Sequence, residues 1–171
     1  MKIRTAYSRF LDIVDKICYY IISIMMIIMV AVMVYQVILR YVFDRSNLWS
    51  EEVARYLCVY VTFIGSFIAI RRNSHLKVDF FVELMKPKAR KILMLITSTA
   101  ITLFLFYMTD KGIEMVRGGF RNVTAGLNIP MAYVYIAIPL GCILMILGML
   151  EQILKLIYPD QPVEEGKEAE Q

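Results

Sequence analysis

RYVFDRSNLWSEEVARYLCVYVTFIGSFIAIRRNSHLKVD, residues Arg40 to Asp79, decides how this chain is read. Its middle, Tyr56 to Ile70, carries no charge. The flanks carry Arg40, Glu51, Glu52 and Arg55 on one side and Arg71, Arg72, His75 and Asp79 on the other. An apolar run fenced by charges is the pattern of a helix that crosses a bilayer and keeps its charged ends in the headgroup layers. Working outward, Ile17 to Leu39 precedes this stretch, and Ile92 to Thr109 and Ile129 to Leu150 follow it, all uncharged. A helix needs about 20 residues to cross a hydrocarbon core about 30 Å thick. Three runs meet that length or nearly so, and Tyr56 to Ile70 reaches it by borrowing Val53, Ala54 and Arg55.

Composition agrees. Of 171 residues, 59% are hydrophobic, and the mean hydropathy is +0.61, well above an ordinary soluble domain. The expected fold is an all-α integral membrane protein with four transmembrane helices in a tilted, open bundle. The spans fall at about residues 17–39, 50–70, 92–110 and 130–155, within one domain over residues 1–158. Residues 159–171 form a polar, acidic tail without the apolar content to fold. The first run is about twice the length of a signal peptide's apolar region, and no small-x-small cleavage site follows it. It is expected to remain as the first span and to serve as the insertion signal.

Lys and Arg set the orientation. With the N-terminus inside, inner segments hold thirteen and outer segments six, and seven of the thirteen lie between Arg71 and Lys91. Both termini are therefore expected in the cytoplasm.

The connections carry finer signals. DRSN at Asp44 to Asn47 favours chain reversal, and Ser50 is a candidate cap for the second helix. Glu51 and Arg55, four residues apart, can pair on one face. Trp49, Tyr41 and Tyr56 suit an interfacial aromatic belt. Leu76, Phe80, Phe81 and Leu84 fall at helical spacing, which predicts a short amphipathic interfacial helix over residues 75–86, ended near Pro87. The basic PKARK run is then expected in the headgroup layer ahead of the third helix. Asp110, Lys111, Glu114 and Arg117 extend that helix beyond the bilayer, and Gly118, Gly119 and Gly126 are expected to loosen the loop after it. Pro130 suits a first helical turn, and Pro139 is expected to kink the fourth helix.

Most chemistry is excluded. One His in the chain leaves no bis-imidazole haem or His-based metal site. Cys18, Cys58 and Cys142 stand singly in apolar spans and read as small packing residues. There is no Gly-rich phosphate loop and no Ser, His and Asp set, so neither an enzyme nor a cofactor is expected. All four apolar cores lack the midplane charge that proton-coupled carriers need, and no inverted repeat is visible. These features disfavour, without removing, an independent four-helix transporter acting as a homo-oligomer.

The runs RYVF, WSEEVARYL and G-x-x-x-A-I-R-R-x-x-H-x-x-V-D, followed by IPMAYVYIAIPLGCILM, resemble the small membrane subunit of the TRAP (tripartite ATP-independent periplasmic) transporters, the DctQ family. The resemblance extends from Val37 to Leu150 in matching order. It implies a periplasmic binding protein that captures an organic acid and a large multi-helix subunit that carries it inward, driven by sodium. It also implies that this chain braces the large subunit. Sialic acid and C4-dicarboxylates are both compatible substrates, with sialic acid preferred. Membrane lipids are expected partners; nucleic acid is not. Motif residues carried over are Arg40, Trp49, Glu51, Glu52, Arg55, Gly65, Arg71, His75, Asp79, Pro130 and Pro139, none of them expected to bind substrate, metal or sodium.

Their roles stay open between alternatives. Arg40 either pairs with Glu51 or Glu52 across the hairpin or snorkels alone while the carboxylates are solvated. Trp49 is a belt anchor or a docking contact. His75 and Asp79 contact the membrane surface or a partner. Met25, Met26, Met29 and Met33 give the first helix a deformable surface, for a partner helix or for lipid. The projection from Asp110 to Arg121 is the candidate contact with the binding protein.

Overall fold

The structure, a computed structural model, describes residues 2–45, 47–72 and 87–157. The expected interfacial helix over residues 75–86, with His75 and Asp79, and the tail 159–171 lie outside these residues. Every regular element described is helical: α1 Lys2–Val42, α2 Leu48–Arg72, α3 Pro87–Gly119, α4 Ala132–Tyr135 and α5 Ala137–Ile157. Four helical segments are long and apolar enough to cross a membrane, with α4 and α5 together forming the fourth.

The helix ends show why the elements stop where they do. α1 closes with Asp44 in the left-handed region, φ 50°, while the Arg45 amide donates to the Leu39 carbonyl at 3.1 Å. This is the reverse-turn closure that ends many helices. α2 begins at Leu48, and the side chain of Asn47 accepts the Trp49 amide at 3.3 Å. Asn47, not Ser50, is therefore the cap. Ser50 is fully buried in the first turn, and its hydroxyl donates back to the Asn47 carbonyl at 3.2 Å. α3 starts at Pro87, so PKARK lies within the helix and not ahead of it. Proline is tolerated at a first helical position because its missing amide has no acceptor there.

Both later prolines shape the fourth span. Pro139 has no amide to offer the Tyr135 carbonyl, four residues back. The helix is interrupted at Ile136, which separates α4 from α5. Pro130 does not start that span: it forms an isolated β-bridge with Val123, and α4 begins two residues later. The Thr124 amide donates to the Ile129 carbonyl, and the Met131 amide to that of Asn122. The loop is thereby closed into a small hairpin.

The long helices form a row, α1–α2–α5–α3, with α1 also touching α5. α5 is the most buried of the four. Along the length of α1, one line of inward side chains runs through Leu11, Asp15, Cys18, Ile22, Met25, Met29, Val32, Gln36 and Leu39, with Tyr7 and Val14 packing beside it. The residues of that line alternate four and three residues apart, the narrow seam of two helices packed at a shallow angle. The methionine set is split by this seam, because Met26 and Met33 are exposed. Leu11, Cys18, Ile64, Phe67, Leu105, Cys142, Met145, Ile146 and Met149 form the core.

Small residues allow the closest approaches. A Cβ on Gly141 would lie 2.5 Å from the Phe63 Cβ, whereas one on Gly65 would meet nothing nearer than Ile22 Cδ1 at 3.8 Å. Gly141→Ala is expected to destabilise the subunit by about 1–3 kcal/mol through overpacking. Gly65→Ala should be neutral or slightly stabilising. Thermal midpoints in mild detergent check the contrast, and equal midpoints would refute it.

Candidate functional site

The polar residues of this apolar protein gather at its two ends. At one end, Arg71 at the close of α2 reaches both neighbouring helices. Its Nε donates to Glu151 of α5 at 3.0 Å. One terminal nitrogen donates to the Leu11 carbonyl of α1 at 2.8 Å. The other donates to the Ser8 carbonyl at 3.2 Å and to the Asp12 carboxylate. Glu151 is also held by the Ser8 hydroxyl at 3.0 Å. A planar guanidinium presents five donors in a fixed fork, which suits it to joining three helices at once.

Arg72 extends the same knot. Its Nε and one terminal nitrogen both donate to Asp15 Oδ2, at 3.3 and 3.0 Å, and its guanidinium carbon lies 4.9 Å from the Tyr19 ring centre. Asp15 Oδ1 is buried without a hydrogen-bond donor among the described residues. Two further bonds flank the knot, from Tyr7 to the Leu147 carbonyl at 2.9 Å and from Gln152 to the Ile70 carbonyl.

At the opposite end, Glu52 fastens the loop between α3 and α4. Its two carboxylate oxygens accept the amides of Gly126 and Leu127 at 2.9 and 3.1 Å. Gly126 lies flat on the start of α2, where a Cβ would come 2.9 Å from the Leu48 carbonyl carbon. Gly119, at the end of α3, presses equally closely on Ala132. These glycines permit contact and do not loosen the loop; its backbone is pinned. Tyr60 of α2 adds a bond to the Tyr133 carbonyl of α4.

The other sequence-nominated residues fall around these two clasps. Among the described residues no ion pair joins Arg40 to Glu51 or Glu52: Arg40 is exposed, Glu51 pairs with Arg55 at 2.8 Å, and Glu52 is engaged by the loop. Neither alternative framed for Glu52 holds, because its partner is backbone. Trp49 stacks on Tyr35 of α1 with ring centres 5.9 Å apart. Pro139 is buried against α3, where a Cβ on Gly112 would lie 3.1 Å from its ring. Cys18 and Cys142 are buried as packing residues, but Cys58 is exposed. The Asp110 to Arg121 projection holds a Lys111–Glu114 pair at 2.8 Å.

Sequence reasoning did not find Asp12, Asp15 and Glu151. A count of Lys and Arg passes over acids, although an acid at the end of an uncharged run of 22 residues, Ile129 to Leu150, is a signal in itself. No three His, Cys, Asp or Glu residues among those described converge as a metal site would require. The polar groups are spent on holding helices together.

Residues 29–158 match the DctQ component of the tripartite ATP-independent periplasmic transporters. The chain belongs to the DctQ family. One relative is the sialic acid TRAP transporter small permease protein SiaQ of Vibrio cholerae, 30% identical over 135 residues that cover 78% of this chain and 77% of that one. The sialic acid TRAP transporter permease protein SiaT of Haemophilus influenzae is 28% identical over 120 residues, 70% of this chain but 20% of its own. A C4-dicarboxylate TRAP transporter small permease protein, DctQ of Vibrio cholerae, is 26% identical over 53% of this chain and 39% of its own. As a DctQ protein this chain is a multi-pass transport component and not an enzyme. In this family the small subunit works with a large permease subunit and a periplasmic binding protein.

Two outcomes follow from the clasps. The Arg71 and Glu151 side chains are 11% and 5% exposed, and breaking a buried pair by removing one partner costs about 3–5 kcal/mol. Arg71→Met should therefore lower the thermal midpoint in detergent far more than Arg55→Ala, whose ion pair is open to solvent. Arg71→Met with Glu151→Met should recover part of the loss, and a double variant no better than the single one would contradict this. Glu52→Ala should speed amide hydrogen exchange at Gly126 and Leu127 while leaving α2 protected, with Glu52→Gln intermediate. Unchanged exchange would mean that the carboxylate does not hold the loop.

Proposed function

We propose that this chain is the non-catalytic scaffold of a sialic acid TRAP transporter in a bacterial inner membrane. It braces the large permease subunit during sodium-driven uptake of an acid delivered by a periplasmic binding protein. The observation that carries the proposal is the SiaT alignment: a stretch related to this chain accounts for one-fifth of a single permease chain. That permease joins such a stretch to a much longer remainder in one chain, which supports a large permease as the partner of this one. The two sialic acid relatives support the substrate, and the basic loop after α2 supports an orientation with both termini cytoplasmic. The clasps support the scaffold role, because their charges are committed to helix and loop contacts. The outer projection from Asp110 to Arg121 is the part we assign to contact with the binding protein.

Purifying the tagged chain from its native membrane in mild detergent tests this directly. A large permease of many spans should accompany it, and deleting this chain should abolish sodium-dependent uptake of labelled sialic acid while leaving C4-dicarboxylate uptake intact. A clean monomer or homodimer would overturn the scaffold reading and promote an independent carrier. Loss of C4-dicarboxylate uptake instead would overturn the substrate.

A further inference from the structure

The four membrane-crossing segments differ in what they show to their surroundings. α1 exposes Ile17, Ile24, Ile27 and Val37 along its length, and α3 exposes Ile96, Leu103, Phe104 and Phe106. α2 exposes no bulky apolar residue after Trp49. From there to Ala69 its exposed residues are Glu51, Arg55, Cys58, Thr62 and Ala69, with Ser66 half-buried on the same line. Steps of four, three, four, four and three residues place all six on one helix face. The face is opposite buried Ile64, on the open side of the row.

This face is poorly suited to acyl chains and well suited to a helix. The Thr62 hydroxyl donates to the Cys58 carbonyl at 2.8 Å, and that of Ser66 to the Thr62 carbonyl at 2.7 Å. The hydroxyls lie flat along the helix, fully satisfied, and the surface is shallow. In a bilayer, helices associate where small residues let backbones approach, because apolar bulk gains nothing by leaving lipid. The exposed Glu51–Arg55 pair marks the end of the face that lies in the headgroup layer.

We propose that this α2 face seats a transmembrane helix of the large permease subunit. The inference rests on the scaffold reading given above and adds the place of contact. The SiaT relationship argues for that occupant: there the related stretch and the rest of the permease are one chain, and so share one membrane at tether distance. The seated helix should cross α2 with small residues near Thr62. It should bring a polar side chain toward Glu51 and Arg55. The bulky faces of α1 and α3 remain for lipid.

The test is site-specific photo-crosslinking in the native membrane, with benzoylphenylalanine placed at Cys58 or Thr62 and, as controls, at Ile27 of α1 or Phe104 of α3. Recovery of the large permease with the unmodified chain checks the scaffold reading first and separately; its absence overturns both. Given recovery, Cys58 and Thr62 should yield a covalent product with the permease while Ile27 and Phe104 do not. A product from the control positions alone, from no position, or at twice the mass of this chain would overturn the α2 assignment. Thr62→Trp, an exposed change that should leave the isolated subunit's thermal midpoint unmoved, should remove most of the co-purified permease. Full recovery with that variant would also overturn it.

Discussion

One guanidinium fixes the arrangement of three helices. Arg71 spends its donors on a carboxylate of α5 and on two carbonyls and a carboxylate of α1. Buried as it is, the Glu151 carboxylate would be costly to leave without donors. Apolar surfaces are interchangeable in lipid and do not define how helices are registered. A directional polar contact defines register, because sliding any helix by one residue would break several bonds together. The seam of α1 on α2 and the close approach of Gly141 to Phe63 follow from a register set at this end.

The opposite end is held by different means. Glu52 acts on backbone amides, so the connection depends on the loop's shape and on the missing side chain at Gly126, where a Cβ would come 2.9 Å from the Leu48 carbonyl carbon. That shape comes from the bridge between Val123 and Pro130 and from Asn128 in the left-handed region, φ 55°. The two clasps use charge in opposite ways, one to join helices directly and the other to anchor a loop. Between them the described helices meet through packing, and the break ahead of Pro139 falls in the span whose α5 touches α1, α2 and α3.

The fold class was legible because hydropathy answers to the bilayer, which acts on every span alike. Helix number, order and the Glu51–Arg55 pair are local properties, and they could be read. Register and partners are not local. Glu151 is 80 residues from Arg71, and the Glu52 contact runs 74 residues to Gly126; nothing in either segment alone announces the other. Ser50 was a plausible cap on residue type, but Asn47 lies three residues earlier and reaches the amide better. The glycines after α3 looked like flexibility because a sequence does not reveal what stands against a missing side chain.

α1 has 41 residues, about 60 Å at 1.5 Å per residue, against a hydrocarbon thickness of about 30 Å. Such a helix cannot stand upright within the bilayer along its whole length. It must lean steeply or run on through the headgroups, and the seam to α2 together with the Arg71 knot passes that constraint to its neighbours. No helix of the row can then change its tilt alone. The surplus length lies in the charged start of α1, ahead of the apolar run Ile17 to Leu39, so the helix continues past the hydrocarbon on the side of the Arg71 knot, and any lean it takes is handed on to the helices bound there.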